Sequence, residues 1–120
     1  MAKITTLTEM AQWQQLWEQS KQADAPSVLI FKLSPICPTS HYAESNFNRY
    51  VGKLSENPAL QIYSVDVIAA RPISRQIASD TGIQHESPQA LLIQAGRNVA
   101  WNASHGEIDE EALRKHVPLN

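Results

Sequence analysis

The sequence predicts an α/β fold in which a mixed sheet, with a parallel core and a C-terminal antiparallel hairpin, is flanked by helices. Apolar residues alternate between short β-branched runs and stretches of helical spacing, in the order β-α-β-α-β-α-β-β-α. Strands separated by helices need right-handed crossovers and pair in parallel, whereas a short turn joins the last two strands. A chain of 120 residues fits one domain, and we expect residues 1–120 to form it.

A short edge strand over residues 4–7 and a helix over residues 8–21 are predicted first. Thr6 and Glu9 have the spacing of a capping box that would begin this helix. Apolar residues at helical spacing provide its buried face: Met10, Trp13, Leu16 and Trp17.

The next predicted unit is a buried strand over residues 27–33 followed by a second helix. Four consecutive apolar residues at 28–31 indicate the strand. We expect the helix to end at Asn57, before Pro58, although Gly52 weakens it by about 1 kcal/mol relative to alanine. Its apolar face contains Ala43, Phe47, Tyr50, Val51 and Leu54.

The second half of the chain predicts a strand over 60–67 and a third helix, then a hairpin and a last helix. Pro72 at the first helical position and Gly82 at the C-terminal cap bound the third helix, with Ile73 and Ile77 facing inward. A polar loop at 84–88 precedes hairpin strands over 90–93 and 97–101. The last helix has acidic residues from Asp109 in its first turn and basic residues in its last.

The single cysteine, Cys37, lies where the buried strand gives way to the second helix. Pro38 suits the first helical position, because its missing N–H would be unpaired there. Cys37 is therefore predicted at the N-cap, where free backbone N–H groups and the helix dipole lower the pKa of a thiol. The alternative is a buried cysteine that packs as a small apolar residue. The polar neighbours Ser34, Thr39 and Ser40 favour the reactive thiol.

Composition argues against several classes of function. A net charge of −2, with no run of lysine or arginine, argues against nucleic-acid binding. No stretch has the length or apolarity of a membrane span or a signal peptide, and one cysteine excludes an internal disulfide. We therefore expect a cytoplasmic protein without membrane association. The four histidines match no zinc spacing, so we expect no metal site.

Four motifs, in order along the chain, resemble the monothiol bacilliredoxin family, and the resemblance runs over residues 4–117. These are thioredoxin-like proteins of the bacillithiol system in low-GC Gram-positive and some other bacteria. The resemblance therefore implies a thioredoxin-like fold. The motifs are Phe31-Lys32-x-Ser34-x-x-Cys37-Pro38-x-Ser40, Arg71 with Ser74 and Ile77-Ala78, His85-Glu86-Ser87-Pro88-Gln89, and Ala103-Ser104-His105.

The resemblance implies that Cys37 removes bacillithiol from mixed disulfides on S-bacillithiolated client proteins. Bacillithiol is the thiol cosubstrate, no cofactor is bound, and a second bacillithiol or a dithiol reductase restores the thiol. Ser40 stands where dithiol relatives keep a resolving cysteine, so exchange involves external partners alone. Pro88 matches the cis-proline of the fold, which presents the Ser87 backbone to an incoming chain.

Two basic residues are candidates for binding the substrate. Lys32 either supports the thiolate or a carboxylate of bacillithiol, whose malate end is anionic, or points to solvent. Arg71, near the end of the third strand, is expected to face the thiol. Classical thioredoxins have a buried Asp where Phe31 stands and a Trp where Ile36 stands, so disulfide reduction of their type is not expected.

Two other functions compete with this interpretation. One is an iron–sulfur carrier like the monothiol glutaredoxins, although Pro38-Thr39 replaces the Gly-Phe of their C-G-F-S motif. The other is a redox-inert thioredoxin-like adaptor that binds partners through its surface. An ordinary thiol pKa and no exchange with small disulfides would favour the adaptor.

Overall fold

The computed structural model describes residues 2–117, which form a five-stranded mixed sheet with helices on both faces. The strand order β1-β3-β2-β4-β5 combines two parallel pairs with an antiparallel β2–β4 pair and the antiparallel β4–β5 hairpin. This confirms the predicted fold class and element order. The strands are β1 (Ile4–Thr6), β2 (Ser27–Leu33), β3 (Leu60–Asp66), β4 (Gln89–Gln94) and β5 (Asn98–Ser104). The helices are α1 (Met10–Gln19), α2 (Pro38–Gly52), α3 (Arg71–Thr81) and α4 (Glu110–His116), with a short 3₁₀ turn at His105–Glu107.

The sheet separates two apolar cores because successive strand residues point to opposite faces. Leu29 and Phe31 pack with α2 and α4, where Phe31 stacks on Phe47 with 4.5 Å between ring centroids. Val28 and Ile30 pack with α1 and α3 on the other face. Lys32 follows Phe31, so its side chain also lies on the α3 face.

Three loops meet at one edge of the sheet. β2 and β3 are parallel, with Leu33 opposite Asp66, so the loops that follow them leave the sheet side by side. The Val67 N–H donates to the Leu33 carbonyl at 2.9 Å and ties these two loops together. β4 is antiparallel to β2 and starts with Gln89 opposite Lys32, so residues 85–88 approach the same edge. Ligands of α/β sheets collect outside the carboxyl ends of parallel strands.

The second helix ends earlier than predicted, at Gly52 rather than Asn57. Lys53 and Leu54 donate to the carbonyls of Tyr50 and Val51, three residues back, so the last turn tightens instead of continuing. Glycine is a poor helix former, which explains a stop at this position. The predicted apolar stripe is confirmed: its helical members are buried, and Leu54 packs against them from beyond the helix end.

The start of α1 is also corrected. Glu9 is its N-cap, and the Gln12 side-chain oxygen accepts from the backbone N–H groups of Glu9 and Thr8 at 2.8 and 2.7 Å. Thr6 instead belongs to β1, where its hydroxyl lies 3.2 Å from that of Ser64. A side chain three residues after the cap therefore closes the box, as expected, but the box lies three residues later than predicted.

Other element ends differ slightly from the predictions. Pro72 is the second helical residue of α3, after Arg71, while Gly82 ends the helix with φ of 73° as predicted. β5 continues past Trp101 because its pairing with β4 runs on to Ser104 opposite Gln89. Asp109 is the N-cap of α4 and accepts from the Ala112 N–H at 2.8 Å. Within residues 2–117, the helices are too short or too polar to cross a bilayer.

Candidate active site

Cys37 is the N-cap residue of α2, as predicted from Pro38. Its backbone is extended, with φ of −104° and ψ of 122°, and its carbonyl accepts from the His41 N–H at 3.2 Å to open the helix. The cysteine is partly exposed, so its sulfur is accessible to another molecule. Ile36 immediately before it is 80% exposed and places apolar surface beside the thiol.

The start of the helix makes Cys37 a better thiolate. The backbone N–H groups of Ser40 and Thr39 are the main causes that lower its pKa. Burial opposes them, and the side-chain hydroxyls of the same two residues add lesser lowering effects. The side chain makes no closed hydrogen bond with the helix start. The amide N–H dipoles instead point toward the sulfur. Their positive ends stabilise the thiolate relative to the neutral thiol.

Ser40 organises the loop that carries the thiol. Its buried hydroxyl accepts from the Ser34 N–H at 3.1 Å, and the Ser34 carbonyl accepts from the Cys37 N–H at 3.3 Å. The exposed ring of His41 adds a bond from its Nε2–H to the Pro35 carbonyl, at 2.9 Å. Ser40, at the resolving position, was expected to support the active site, and the bond to the Ser34 N–H is a contact that the sequence did not specify.

The loop before β4 contains a cis peptide bond between Ser87 and Pro88, which confirms the conformation implied by the resemblance. The Pro88 carbonyl accepts from the His105 N–H at 3.0 Å, which fixes the loop to the end of β5. The Ser87 hydroxyl is buried, with no hydrogen-bond partner among the described residues. The Ser87 backbone contact with a client stays a prediction.

Lys32 does not point to solvent, and that alternative is wrong. Its side chain is fully buried on the α3 face, opposite the face on which α2 packs. The ammonium donates to the Ser74 carbonyl at 3.0 Å and lies 3.3 Å from Nδ1 of His85. Burial lowers the pKa of Lys32 to about 8. The structure therefore directs the nearest basic residue in the sequence away from the helix that Cys37 begins.

Arg71 is exposed at the first position of α3. It lines a cleft of about 250 Å³ with Val67, Ile68, Ser74, Arg75 and His85. The Val67–Leu33 hydrogen bond joins this cleft to the end of β2, four residues before Cys37. Sequence reasoning named Arg71 but did not foresee that His85, from another motif, lies in the same cleft.

The remaining histidines have separate local contacts. His105 Nε2 lies 2.8 Å from a Glu86 carboxylate oxygen, and the His116 ring stacks on Trp101 at 5.1 Å. The described residues contain no group of three or more side chains that could hold a metal ion.

Comparison with known proteins identifies the family. The model of the family described as monothiol bacilliredoxin BrxC matches residues 5–113, nearly the whole chain. The chain belongs to the monothiol bacilliredoxin family. Membership places this bacilliredoxin among the thiol oxidoreductases, and Cys37 is its single cysteine.

Solved structures agree with the fold of the bacilliredoxin. A structure described as a putative oxidoreductase with a thioredoxin fold is 29% identical, with a TM-score of 0.76, covering 96% of this chain and 94% of that one. Nicotiana alata thioredoxin NaTrxh is 18% identical with a TM-score of 0.69, covering 96% and 93%. Fasciola hepatica thioredoxin is 15% identical with a TM-score of 0.67, covering 92% and 93%. The two thioredoxins show the fold alone.

Proposed function

We propose that this bacilliredoxin removes bacillithiol from S-bacillithiolated proteins in the cytoplasm. The observation that carries the proposal is the position of Cys37, a partly exposed thiol at a helix N-cap whose pKa is lowered by the amides of Ser40 and Thr39. A thiolate is the attacking species in thiol–disulfide exchange. Membership in the family supports bacillithiol as the group that is exchanged.

The reaction is two successive exchanges with no net change in the number of disulfides. The Cys37 thiolate attacks the bacillithiol sulfur, a new S–S bond forms, and the client sulfur leaves as a thiolate that takes a proton. A second bacillithiol thiolate then attacks the sulfur of the bacillithiol on Cys37. This step releases oxidised bacillithiol disulfide and regenerates the Cys37 thiolate. Alternatively, one thiolate of a dithiol reductase attacks the bacillithiol sulfur and releases the Cys37 thiolate. The second thiol of the reductase then displaces bacillithiol as a free thiol and closes an internal disulfide in the reductase.

The residues around Cys37 support this monothiol route. Pro38 starts the helix, and the Ser40 N–H favours the Cys37 thiolate. The Ser40 hydroxyl holds the loop at the position where a dithiol protein has its second sulfur. The exposed apolar side chain of Ile36 offers a client protein a surface beside the thiol. We further propose that the backbone next to Pro88, at Ser87, pairs with the client chain, as extended peptides pair with exposed backbone.

Bacillithiol itself meets charged groups in this proposal. Arg71 is exposed in the neighbouring cleft and is available to a carboxylate. Lys32 acts from behind that cleft, since its buried ammonium reaches Ser74 and His85 rather than the surface.

The test follows bacillithiol by intact mass. Reduced protein is incubated with a bacillithiolated client, and we expect the adduct on Cys37 together with freed client. Cys37→Ala should abolish both, while the control Ser79→Ala, at an exposed position of α3, should behave as wild type. Equal release of the client by Cys37→Ala would refute the proposal. Visible absorbance after reconstitution with iron and sulfide would favour the iron–sulfur carrier. An ordinary pKa of the Cys37 thiol would favour the redox-inert adaptor.

A further inference from the structure

A basic cleft opens at the edge of the sheet beside the thiol loop. It has a volume of about 250 Å³ and is lined by residues from the segment after β3, from α3 and from the loop before β4: Val67, Ile68, Arg71, Ser74, Arg75 and His85. This volume is below the range of about 300–1,000 Å³ that is typical for drug-sized ligands. The cleft is therefore suited to one end group of a ligand rather than to a whole one.

The lining of the cleft is positively charged. The lining contains two guanidinium groups and no carboxylate. Within residues 2–117, neither Arg71 nor Arg75 makes an ion pair, whereas Arg49 and Arg97 each pair with a glutamate. Guanidinium groups bind carboxylates through two parallel hydrogen bonds, so a pair of free ones is suited to a ligand with two carboxylates.

A third positive charge lies behind the lining. The Lys32 ammonium is buried against the Ser74 carbonyl and His85 Nδ1, with no carboxylate within 4 Å among the described residues. A buried ion without a counter-ion is costly, and an anion placed nearby offsets part of that cost. Burial and then the positive charges of Lys32 and Arg75 lower the pKa of His85, against an opposing effect of the Glu86 carboxylate.

His85 provides a neutral donor at the same place. Its Nδ1 lies 3.3 Å from the Lys32 ammonium and 3.2 Å from the Ser74 hydroxyl. Because the ammonium can only donate, Nδ1 is the acceptor of this network, which assigns the ring proton to Nε2. The exposed part of the ring then offers an N–H to a ligand in the cleft.

We propose that this cleft binds the malate end of bacillithiol, with Arg71 and Arg75 holding its two carboxylates and His85 donating a further hydrogen bond. The inference rests on the proposed function for the identity of the thiol. The Val67–Leu33 hydrogen bond joins the cleft to the end of β2, four residues before Cys37, and in this proposal one end of bacillithiol lies in the cleft and its sulfur at Cys37. Lys32 and Ser74 are positioning residues, since they orient the imidazole.

Binding is tested separately from catalysis by NMR titration of labelled protein with L-malate. We expect malate to shift the amides of residues 67–75 and 85, and its neutral diamide at matched ionic strength to leave them unchanged. Arg71→Gln/Arg75→Gln should remove the shifts. The control Arg114→Gln makes the same charge change at an exposed site on α4, across the sheet, and should keep them. Absence of shifts in wild type, or their survival in the double variant, would overturn the inference.

A kinetic comparison distinguishes failure of this site from failure of the proposed function. The same client is prepared as a mixed disulfide with bacillithiol or with cysteinyl-glucosamine, which lacks malate. We expect the double variant to lose about tenfold in rate with the first substrate and little with the second, the size expected for lost charge-assisted hydrogen bonds. Equal rates in wild type and variant would overturn the site and leave the function intact. Malate-dependent shifts without any transfer would support the carboxylate site and refute the function.

Discussion

Replacing the buried Lys32 by methionine is expected to change how stability depends on pH. Methionine has a similar length and fills the space without a polar head group. Lys32 is fully buried, and burial lowers its pKa from 10.5 to about 8. The folded protein therefore binds fewer protons than the unfolded chain between these two values. Stability linked to Lys32 rises with pH across that window.

The magnitude follows from the difference between the two pKa values. One unit of pKa corresponds to about 1.4 kcal/mol, so the full effect of Lys32 is about 3 kcal/mol and about 2 kcal/mol is gained between pH 7 and pH 9.5. At pH 7 the variant avoids burying a charge but loses the hydrogen bond to the Ser74 carbonyl, which is worth about 1.5–3 kcal/mol from a charged donor. We therefore expect nearly equal stabilities at pH 7 and a more stable wild type at pH 9.5.

The assay is urea unfolding at intervals from pH 7 to pH 10, for wild type and Lys32→Met. Burial raises the pKa of Tyr50 and Tyr63, so the stability of the fold that is linked to these tyrosines falls as pH rises. This loss is the same in both proteins. Lys32 also contributes to lowering the pKa of His85, but that pKa lies below the pH range of the assay. The difference between the two curves therefore reports mainly on Lys32. Lys115→Met, at an exposed position of α4, is the matched control.

A flat difference between wild type and Lys32→Met from pH 7 to pH 10 would refute this reasoning, because an ammonium with an ordinary pKa contributes nothing in that range. A falling difference would also refute it, since that sign requires a folded state that binds extra protons. The control should give a flat difference.

Two further predictions concern the thiol loop. Ser40→Ala removes the acceptor of the buried Ser34 N–H and should lower the free energy of unfolding, measured by urea unfolding, by about 1–3 kcal/mol. The control Ser55→Ala, at an exposed position, should change the free energy of unfolding little. Equal stabilities of the two variants would contradict this prediction. Because the helix start lowers the pKa of Cys37, alkylation by iodoacetamide should reach half its maximal rate below the pH found for the unfolded protein and slow as the thiolate protonates in acid. A midpoint equal to that of the unfolded chain would exclude stabilisation by the amides.

Local patterns were enough to predict the element order and the place of the thiol. Pro38 after a polar stretch marked the start of α2, and Gly82 marked the end of α3, because both residues act through their own backbone. The prediction missed the end of α2 at Gly52. Pro58 sets only the farthest point that the helix can reach, and the helix ends before that point.

The position of Lys32 shows where local patterns stop being informative. Strand alternation alone places the Lys32 side chain on the other face of the sheet from Phe31. The sequence does not say whether that face is covered at this position. Only the packing of α3 and the approach of the loop before β4 bury the ammonium against Ser74 and His85. These residues are far apart in the chain, so no spacing rule connects them.

The sequence by itself therefore determined the α/β order, the single thiol and its place at a helix start, because these depend on residues that are neighbours in the chain. The tertiary structure alone decided that Arg71, Arg75 and His85 share one cleft with Lys32 behind it. The physical reason is that the parallel β2–β3 pair and the antiparallel β4 bring three distant loops to one edge of the sheet. Charges on those loops meet only after the strands have paired.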